Sequence, residues 1–290
     1  MRGGAGEPRR ERFDPGDRSA RGPRHAAAVR HHYEVPPDPG AQQPRRAAAT
    51  TAIRLNQFLA RAGVAARRKA DRLIISGQVL VNGVPAVAGQ QVTPGVDRVT
   101  IGGRPIEPTS ESTYLMMNKA IGVLTSIGDD RGRQTVADRL PSGAARVFPV
   151  GRLDLNSRGL VLLTDDGELA GRLMHPRYHV EKEYRVVIQG RPSGDALRRL
   201  SEGMVVSGEQ FQPAEVSVLE TTPSESRVSM VLREGRKREV RRLWQELGHP
   251  VLDLQRVRID GLQLGDLEEG AVRTLSGDEV ARLKSAVNLS

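Results

Sequence analysis

The pattern of apolar and polar positions divides the chain into three segments. Branched aliphatic residues are almost absent from residues 1–52, which are rich in Arg, Gly, Pro and Ala. Such a segment cannot bury enough apolar area to offset the entropy lost when its backbone becomes ordered. We therefore predict a disordered basic tail, which is either an arm that adds nonspecific affinity for a polyanion, a dispensable extension or the product of an overlong gene start.

Helical periodicity begins just after this tail. Leu55, Phe58 and Leu59 recur at the spacing of one helix face, and Gly63 ends this short helix. A second helix is predicted from about residue 66 to residue 76, because apolar residues again share one face. The basic residues Arg67, Arg68, Lys69 and Arg72 lie outside the apolar face of this second helix.

A hairpin is predicted after the second helix. Val79–Val81 is a short apolar strand, and Asn82-Gly83 supplies the positive φ angles of a type I′ turn before Val84. Two short helices followed by a hairpin form a small unit with a basic face, which we place at residues 53–104.

The third segment follows a linker near Pro105–Ser112 and consists mainly of strands. Strands are predicted at Tyr114–Met117, Leu160–Leu163, Val186–Ile188, Val216–Leu219 and Val228–Leu232. Helices are predicted at Gly167–Met174, Asp195–Glu202 and Glu239–Gly248. Because the strands do not alternate regularly with helices, the pattern predicts an α+β domain at residues 113–284, with a mixed, largely antiparallel sheet flanked by helices.

Charge adds a prediction about the partner. The formal net charge is +9 and the pI is near 10.5, which favours a polyanion, although an Arg-rich coding bias would give a similar composition. Clustering is more informative, because basic residues concentrate at Arg67-Arg68-Lys69 and at Arg236–Arg242. No apolar run approaches the ~18 residues of a membrane span and no signal-peptide segment is visible, so we expect a cytoplasmic protein without a membrane partner.

The stretch around Asp154 carries the clearest chemical signal. Asp154 follows Gly151, Arg152 and Leu153 and precedes an apolar strand, so one carboxylate lies on a loop beside a fixed positive charge. A single Asp after a turn is usually a cap or a turn former. Asp165 or Asp166 can cap the helix that begins near Glu168, but Asp154 has no helix to cap. The chain has no cysteine, which excludes disulfides, thiolate metal sites and thiol nucleophiles.

Three stretches of the third segment together resemble the pseudouridine synthases that modify ribosomal RNA. These are Gly151-Arg152-Leu153-Asp154 with the residues up to Met174-His175-Pro176, the strand entry Glu181–Tyr184, and the run Glu234–Leu243. Residues 53–100 are similar to the alpha-L RNA-binding module shared with a small-subunit ribosomal protein. The resemblance implies a small N-terminal alpha-L RNA-binding domain followed by a pseudouridine synthase catalytic domain.

The resemblance also implies the roles of individual residues. Asp154 is the expected catalytic residue, Arg241 its ion-pair partner, and Tyr184 a ring that stacks on the flipped uracil and helps to remove the carbon 5 proton. A core ring is the alternative interpretation of Tyr184. Contacts with RNA are expected from Arg67, Arg68, Lys69, Arg72, Asn118, Lys119, Arg152, Lys182, Arg236, Lys237 and Arg238. Ala120, where the family usually has proline, leaves the shape of the Asn118-Lys119 loop in doubt.

The expected reaction isomerises uridine to pseudouridine, so no cofactor or metal is required. The expected partner is ribosomal RNA or an assembling ribosomal subunit, and motif details favour large-subunit (23S) over small-subunit (16S) rRNA. Two other classes remain as alternatives: a noncatalytic RNA-binding assembly factor and a nucleoside-cleaving enzyme, which usually needs a second carboxylate. We expect a monomer, a structural role for Trp244 and no chemistry from the histidines.

Overall fold

The structure, a computed structural model, describes residues 52–65, 67–108, 112–141 and 146–289. The predicted disordered tail lies outside the described residues except for Ala52, so that prediction stays untested. In the described part of the chain, no helix combines the length and the apolar composition that a membrane span requires.

The N-terminal part contains two helices and short strands. Its elements are β1 (Ile53–Arg54), α1 (Leu55–Arg61), α2 (Arg67–Ile75), β2 (Val79–Val81), β3 (Val84–Pro85), β4 (Gln91–Val92), β5 (Val99–Ile101) and β6 (Arg104–Ile106). The strands form an antiparallel sheet in the order β3-β2-β5-β6 and a separate β1–β4 pair. Asn82 and Gly83 have φ values of 53° and 84°, as the predicted turn requires.

The C-terminal part contains a large sheet with helices. Its elements are β7 (Tyr114–Lys119), β8 (Phe148–Pro149), β9 (Arg158–Thr164), α3 (Gly167–Met174), β10 (Lys182–Gln189), α4 (Gly194–Glu202), β11 (Met204–Val206), β12 (Glu209–Phe211), β13 (Glu215–Thr221), β14 (Glu225–Leu232), α5 (Glu239–Glu246), β15 (Val251–Ile259), β16 (Leu262–Gln263), β17 (Val272–Thr274) and α6 (Gly277–Ala286).

The large sheet confirms the predicted topology. Its strand order is β13-β14-β10-β15-β9-β7-β17, with β16 paired to β15 and β8 paired to β9. The β15–β9 pairing is parallel and the other pairings are antiparallel, so the sheet is mixed and largely antiparallel. β10, β15 and β9 are neighbours at its centre.

Each face of the sheet has its own core. Along β7, Leu115 and Met117 belong to one cluster and Met116 to the other, as the two-residue period of a strand requires. The first cluster includes Leu243 and Trp244 of α5, and the second includes Leu169, Leu173 and Leu283. The burial of Trp244 agrees with its predicted structural role.

Of the two residues expected as caps of α3, Asp166 is the one that caps the helix. Asp166 caps α3 by accepting hydrogen bonds from the backbone N–H groups of Glu168 and Leu169 at 3.1 and 3.0 Å. Asp165 accepts from the backbone N–H of Thr113 at 2.9 Å and therefore ties the end of β9 to the start of β7. Glu168 forms an ion pair with Arg172 at 2.9 Å.

Candidate active site

Asp154 lies on the loop between β8 and β9. Leu153 anchors this loop, because its side chain is buried and its backbone exchanges hydrogen bonds with the Thr125 hydroxyl, which donates at 2.9 Å and accepts at 3.2 Å. The backbone N–H of Ser157 donates to the carbonyl of Asp154 at 3.0 Å and closes the turn. The carboxylate is thus held by a fixed backbone directly before a central strand.

Asp154 faces an open cleft of about 1360 Å³. The cleft walls come from the Asp154 loop, the ends of α3 and β10, the segment before α5, and β15. The basic side chains along the cleft are Arg152, Lys182, Arg233, Arg236, Lys237, Arg238 and Arg256, and the acidic ones are Asp154, Glu234 and Glu239. The excess of positive charge suits a phosphate-bearing ligand, since backbone phosphates are neutralised by Arg and Lys.

The ion-pair partner of Asp154 differs from the predicted one. Arg238 places Nη1 3.9 Å from Oδ2 of Asp154, and its backbone has the left-handed φ of 54° that few non-glycine residues adopt. Arg241 instead donates from Nη2 to the carbonyl of Asn156 at 2.7 Å and from Nη1 to that of Val251 at 3.1 Å. Arg241 therefore supports the backbone of the Asp154 loop, because its position on α5 directs both donors to carbonyl groups.

Tyr184 lies in the wall of the same cleft. It is on β10, its side chain is only 8% exposed, and it packs in the cluster that contains Leu153. Burial raises the pKa of the Tyr184 phenol, and the positive charge of Arg256 opposes this effect. The ring is thus both a core residue and a cleft residue, so the two interpretations of Tyr184 are compatible.

Asn118 and Lys119, which were expected to contact RNA, have little exposed surface in the structure. Both side chains are buried at the end of β7: Nδ2 of Asn118 donates to the carbonyl of Leu267 at 2.7 Å, and Nζ of Lys119 donates to that of Ala120 at 2.8 Å. Burial lowers the pKa of Lys119 to about 8, while the charge of Asp154 raises it. The ammonium group of Lys119 is fully covered, and its charge interacts electrostatically with that of Asp154.

The other predicted RNA contacts occupy two surfaces. Arg67, Arg68, Lys69 and Arg72 are exposed on α2, and Arg152, Lys237 and Arg238 are exposed at the cleft. Arg236 is partly buried and pairs with Glu234 at 2.8 Å and Glu209 at 3.0 Å. Lys182 is partly covered, donates to the carbonyl of Val180, and has a pKa lowered to about 8 by burial and by Arg256.

Two buried charged residues of the cleft were not among the site residues predicted from the sequence. Arg256 is 2% exposed on β15, and Glu239 is 3% exposed at the start of α5. Burial raises the pKa of Glu239 to about 7, while a hydrogen bond from the backbone of Arg236 lowers it. The sequence contains a signal for the burial of Arg256, because strand alternation places Arg256 on the same face as the buried Leu254. Glu239 gave no such signal, since Glu is common at helix starts.

Metal binding finds no support in the described residues, which contain no cluster of three His, Cys, Asp or Glu side chains suited to an ion. The ring nitrogen of His175 accepts from the backbone of Arg177, and that of His249 bonds the carbonyl of Gln189. These histidines therefore have local structural partners.

Residues 113–246 match the RNA pseudouridylate synthase family, and residues 53–97 match the S4 domain. An uncharacterized RNA pseudouridine synthase of Aquifex aeolicus is 39% identical over 82% of this chain and 96% of its own length. The ribosomal large subunit pseudouridine synthase B of Bacillus subtilis is also 39% identical, over 80% of this chain and 96% of its own. A crystal structure of a pseudouridylate synthase superposes with a TM-score of 0.58 at 30% identity, covering 80% of this chain and 99% of that one. This similarity, spread over nearly the whole length of such relatives, shows that the chain belongs to the RNA pseudouridine synthase family.

Proposed function

We propose that this pseudouridine synthase modifies large-subunit ribosomal RNA and uses Asp154 as its catalytic carboxylate. The observation that carries the proposal is the placement of Asp154 on an anchored loop in a cationic cleft, with Tyr184 in the same wall. Relatives from Bacillus subtilis and Pseudomonas aeruginosa that bear the name ribosomal large subunit pseudouridine synthase B, each 39% identical, support the choice of RNA.

The reaction is an isomerisation whose atoms balance within the substrate. The bond between N1 of uracil and C1′ of ribose breaks, the base turns, a C5–C1′ bond forms, and the proton on C5 is lost while N1 gains one. Asp154 serves as nucleophile or as charge stabiliser for the detached sugar or base. Arg238 and the buried Lys119 place positive charge near this carboxylate.

The target uridine must leave its stack before it can reach Asp154. Flipping a nucleotide costs a few kcal/mol, and stacking on an aromatic ring returns roughly 1–3 kcal/mol per base. Tyr184 is the aromatic residue in the wall beside Asp154, and we assign it this stacking role and removal of the C5 proton. Arg152 and Lys237, both exposed at the cleft, bind the flanking phosphates.

The S4 domain docks the RNA through the exposed basic residues of α2. These four side chains are exposed, so they suit phosphate contacts. Either ribosomal RNA alone or an assembling subunit can present such a surface. We expect the enzyme to act as a monomer in the cytoplasm.

The decisive experiment replaces the proposed catalytic group. The variant Asp154→Asn should fold and bind RNA, but should lose activity by roughly 10⁴-fold, the scale seen when a catalytic nucleophile is removed. Tritium release from ribosomal RNA labelled at carbon 5 of uridine measures the rate. Asp278→Asn, the same change at an exposed residue of α6, is the matched control. Near-normal turnover by Asp154→Asn would contradict the proposal.

The RNA substrate is tested separately. Carbodiimide-induced reverse-transcription stops should disappear from one or a few large-subunit rRNA positions in cells that lack this gene. A stop lost from small-subunit rRNA instead would overturn the choice of RNA without affecting the role of Asp154.

A further inference from the structure

Arg256 is a buried cation whose position the fold alone does not explain. Its side chain is 2% exposed, and Nη2 has no hydrogen-bond partner among the described residues. In the same part of the chain, no carboxylate lies within ion-pair distance of its guanidinium. An unpaired buried charge destabilises a folded protein, and an apolar residue of similar volume would usually serve the fold as well.

The neighbours of Arg256 are β10, which carries Tyr184, and β9, which follows the Asp154 loop. In the sheet, Arg256 lies directly opposite Tyr184 of β10 on one side and opposite Gly159 of β9 on the other. Its Nε donates to the carbonyl of Leu160 at 2.8 Å. Arg256 therefore binds to β9, the strand that follows the Asp154 loop, and Arg256 also lies beside Tyr184.

A register irregularity in β15 directs Arg256 to this place. The pairing shifts between Glu183 and Tyr184, so Arg258 lies opposite Glu183 while Arg256 lies opposite Tyr184. Glu183 and Tyr184 are adjacent on β10 and face opposite sides of the sheet. Arg258 therefore reaches Glu183, with Nε 2.9 Å from its carboxylate, and Arg256 remains on the side of Tyr184.

We propose that Arg256 is a positioning residue for pseudouridine formation, which fixes the phenol of Tyr184 relative to the Asp154 loop. The guanidinium is held on one side by the Leu160 carbonyl, and Arg256 lines the cleft beside Tyr184. The opposing effect of Arg256 on the pKa of Tyr184 agrees with this proximity. The inference rests on the proposed roles of Asp154 and Tyr184.

The test compares substitutions at two arginines of β15 in the full chain. Arg256→Met removes the charge and the donors while keeping a long side chain, and Arg256→Lys restores the charge alone. Arg258→Met and Arg258→Lys are the matched controls, because Arg258 is on the same strand but faces Glu183. The substrate is the ribosomal RNA transcript that the unaltered enzyme modifies. The measurements are the single-turnover rate, the Kd for RNA and the Tm.

Arg256→Met should lower the single-turnover rate by about 100-fold while the Kd for RNA changes by less than about 3-fold, and Arg256→Lys should recover about 10-fold of that loss. In a Tyr184→Phe background, Arg256→Met should lower the rate by less than about 3-fold, because the residue through which it acts is already altered. A merely structural role would instead give the same loss in both backgrounds.

Three results would overturn the inference: an Arg256→Met rate within about 3-fold of the unaltered enzyme, an equal loss from Arg258→Met, or a loss confined to RNA affinity. If Arg256→Met does not fold, Arg256→Lys decides alone, and a rate within about 3-fold of the unaltered enzyme contradicts the proposal. The two proposals fail separately, since an active Asp154→Asn refutes the proposed chemistry, whereas an inactive Asp154→Asn beside a fully active Arg256→Met refutes only the role of Arg256.

Discussion

Gly159 is the residue at which the packing of the central strands is tightest. Its φ is +106°, and a Cβ built on it would lie 2.2 Å from the carbonyl oxygen of Arg256. That atom belongs to the backbone of a central strand, so it cannot move aside as a flexible side chain would. The closeness of β9 and β15 at this point therefore depends on the missing side chain of Gly159.

We predict that Gly159→Ala destabilises the protein by more than about 3 kcal/mol, because it combines a backbone clash with a φ unfavourable to alanine. Gly171→Ala is the control: it lies in α3, has nothing within 4 Å of an added Cβ, and should be neutral or stabilise by up to about 1 kcal/mol. Urea unfolding measures both. Equal unfolding midpoints for the two variants would show that β9 and β15 can separate without cost.

At the residue scale, the sequence indicates which residues line the cleft better than it indicates their contacts. Asp154 was identifiable because a motif surrounds it and no helix begins there for it to cap. The partner of Asp154 was not, since Arg238 reaches it from a left-handed backbone conformation that the sequence does not signal. The burial of Lys119 also went unpredicted, because a lysine at a strand end normally extends its ammonium into water.

Among the elements, α6 shows how its start contributes to stability. Ser276 accepts from the backbone N–H of Glu279, and Glu279 accepts from the backbone N–H of Ser276 at 2.8 Å, forming a capping box. Arg273 donates to both carboxylate oxygens of Glu279, at 2.6 and 2.8 Å. These bonds, that from Arg273 foremost, lower the pKa of Glu279 to about 2.

A depressed pKa stabilises the fold above the unfolded value near 4.5, and this contribution disappears as the pH falls toward about 2. We therefore predict that Glu279→Gln lowers the free energy of unfolding by about 1–2 kcal/mol at pH 7, allowing for the partial exposure of Arg273. The difference should shrink steadily below pH 4.5. Chemical denaturation at several pH values measures it, with exposed Glu246→Gln as control. A difference that is constant with pH would contradict the ionic contribution.

Most elements were predictable because their apolar spacing is regular, including β7, β9, β14 and α3. The strand β15 was not, although it is central. Its polar residues Asp253, Gln255 and Arg258 interrupt the apolar pattern. Asp253 and Arg258 form ion pairs with Arg158 and Glu183 of the neighbouring strands, and the pairing register shifts within the strand. The strand that carries Arg256 was therefore not recognised, because its polar residues obscure the apolar alternation of a strand.

For the molecule as a whole, the separation of cores predicts the result of truncation. The cluster within the S4 part uses residues from Ile53 to Ile106, and the two clusters of the large sheet use residues from Tyr114 onward. We predict that deleting residues 1–112 leaves a folded catalytic part that modifies RNA slowly at high concentration. Relative to a chain that lacks only residues 1–51, the slope of log Kd against log salt should fall by about 3 units, because the four basic residues of α2 are lost.

Deleting residues 1–51 alone should cause only a modest, salt-sensitive loss of affinity, because it leaves both the S4 core and the cleft intact. Salt titrations of RNA binding by the full chain and the two truncations make the comparison. If the shorter deletion lost as much specific affinity as the longer one, the RNA-docking role of α2 would be wrong. The two-part organisation itself was predictable, since apolar periodicity stops before Thr113 and resumes at Tyr114. Pro105, which was expected in the linker, instead lies in β6 and pairs with Thr100.

The outer strand β13 has a consequence for how the enzyme behaves in a crowded solution. One side of β13 pairs with β14, the other side pairs with no strand in the part of the chain that the structure describes, and Val218 and Leu219 are exposed. A free edge of this kind invites another chain to add a strand, which is how sheets grow into fibrils. The register shift between Val218 and Glu220, together with the charges of Glu215 and Glu220, interrupts the regular edge that such growth requires. We therefore expect this edge of the largest sheet to resist the addition of a further strand.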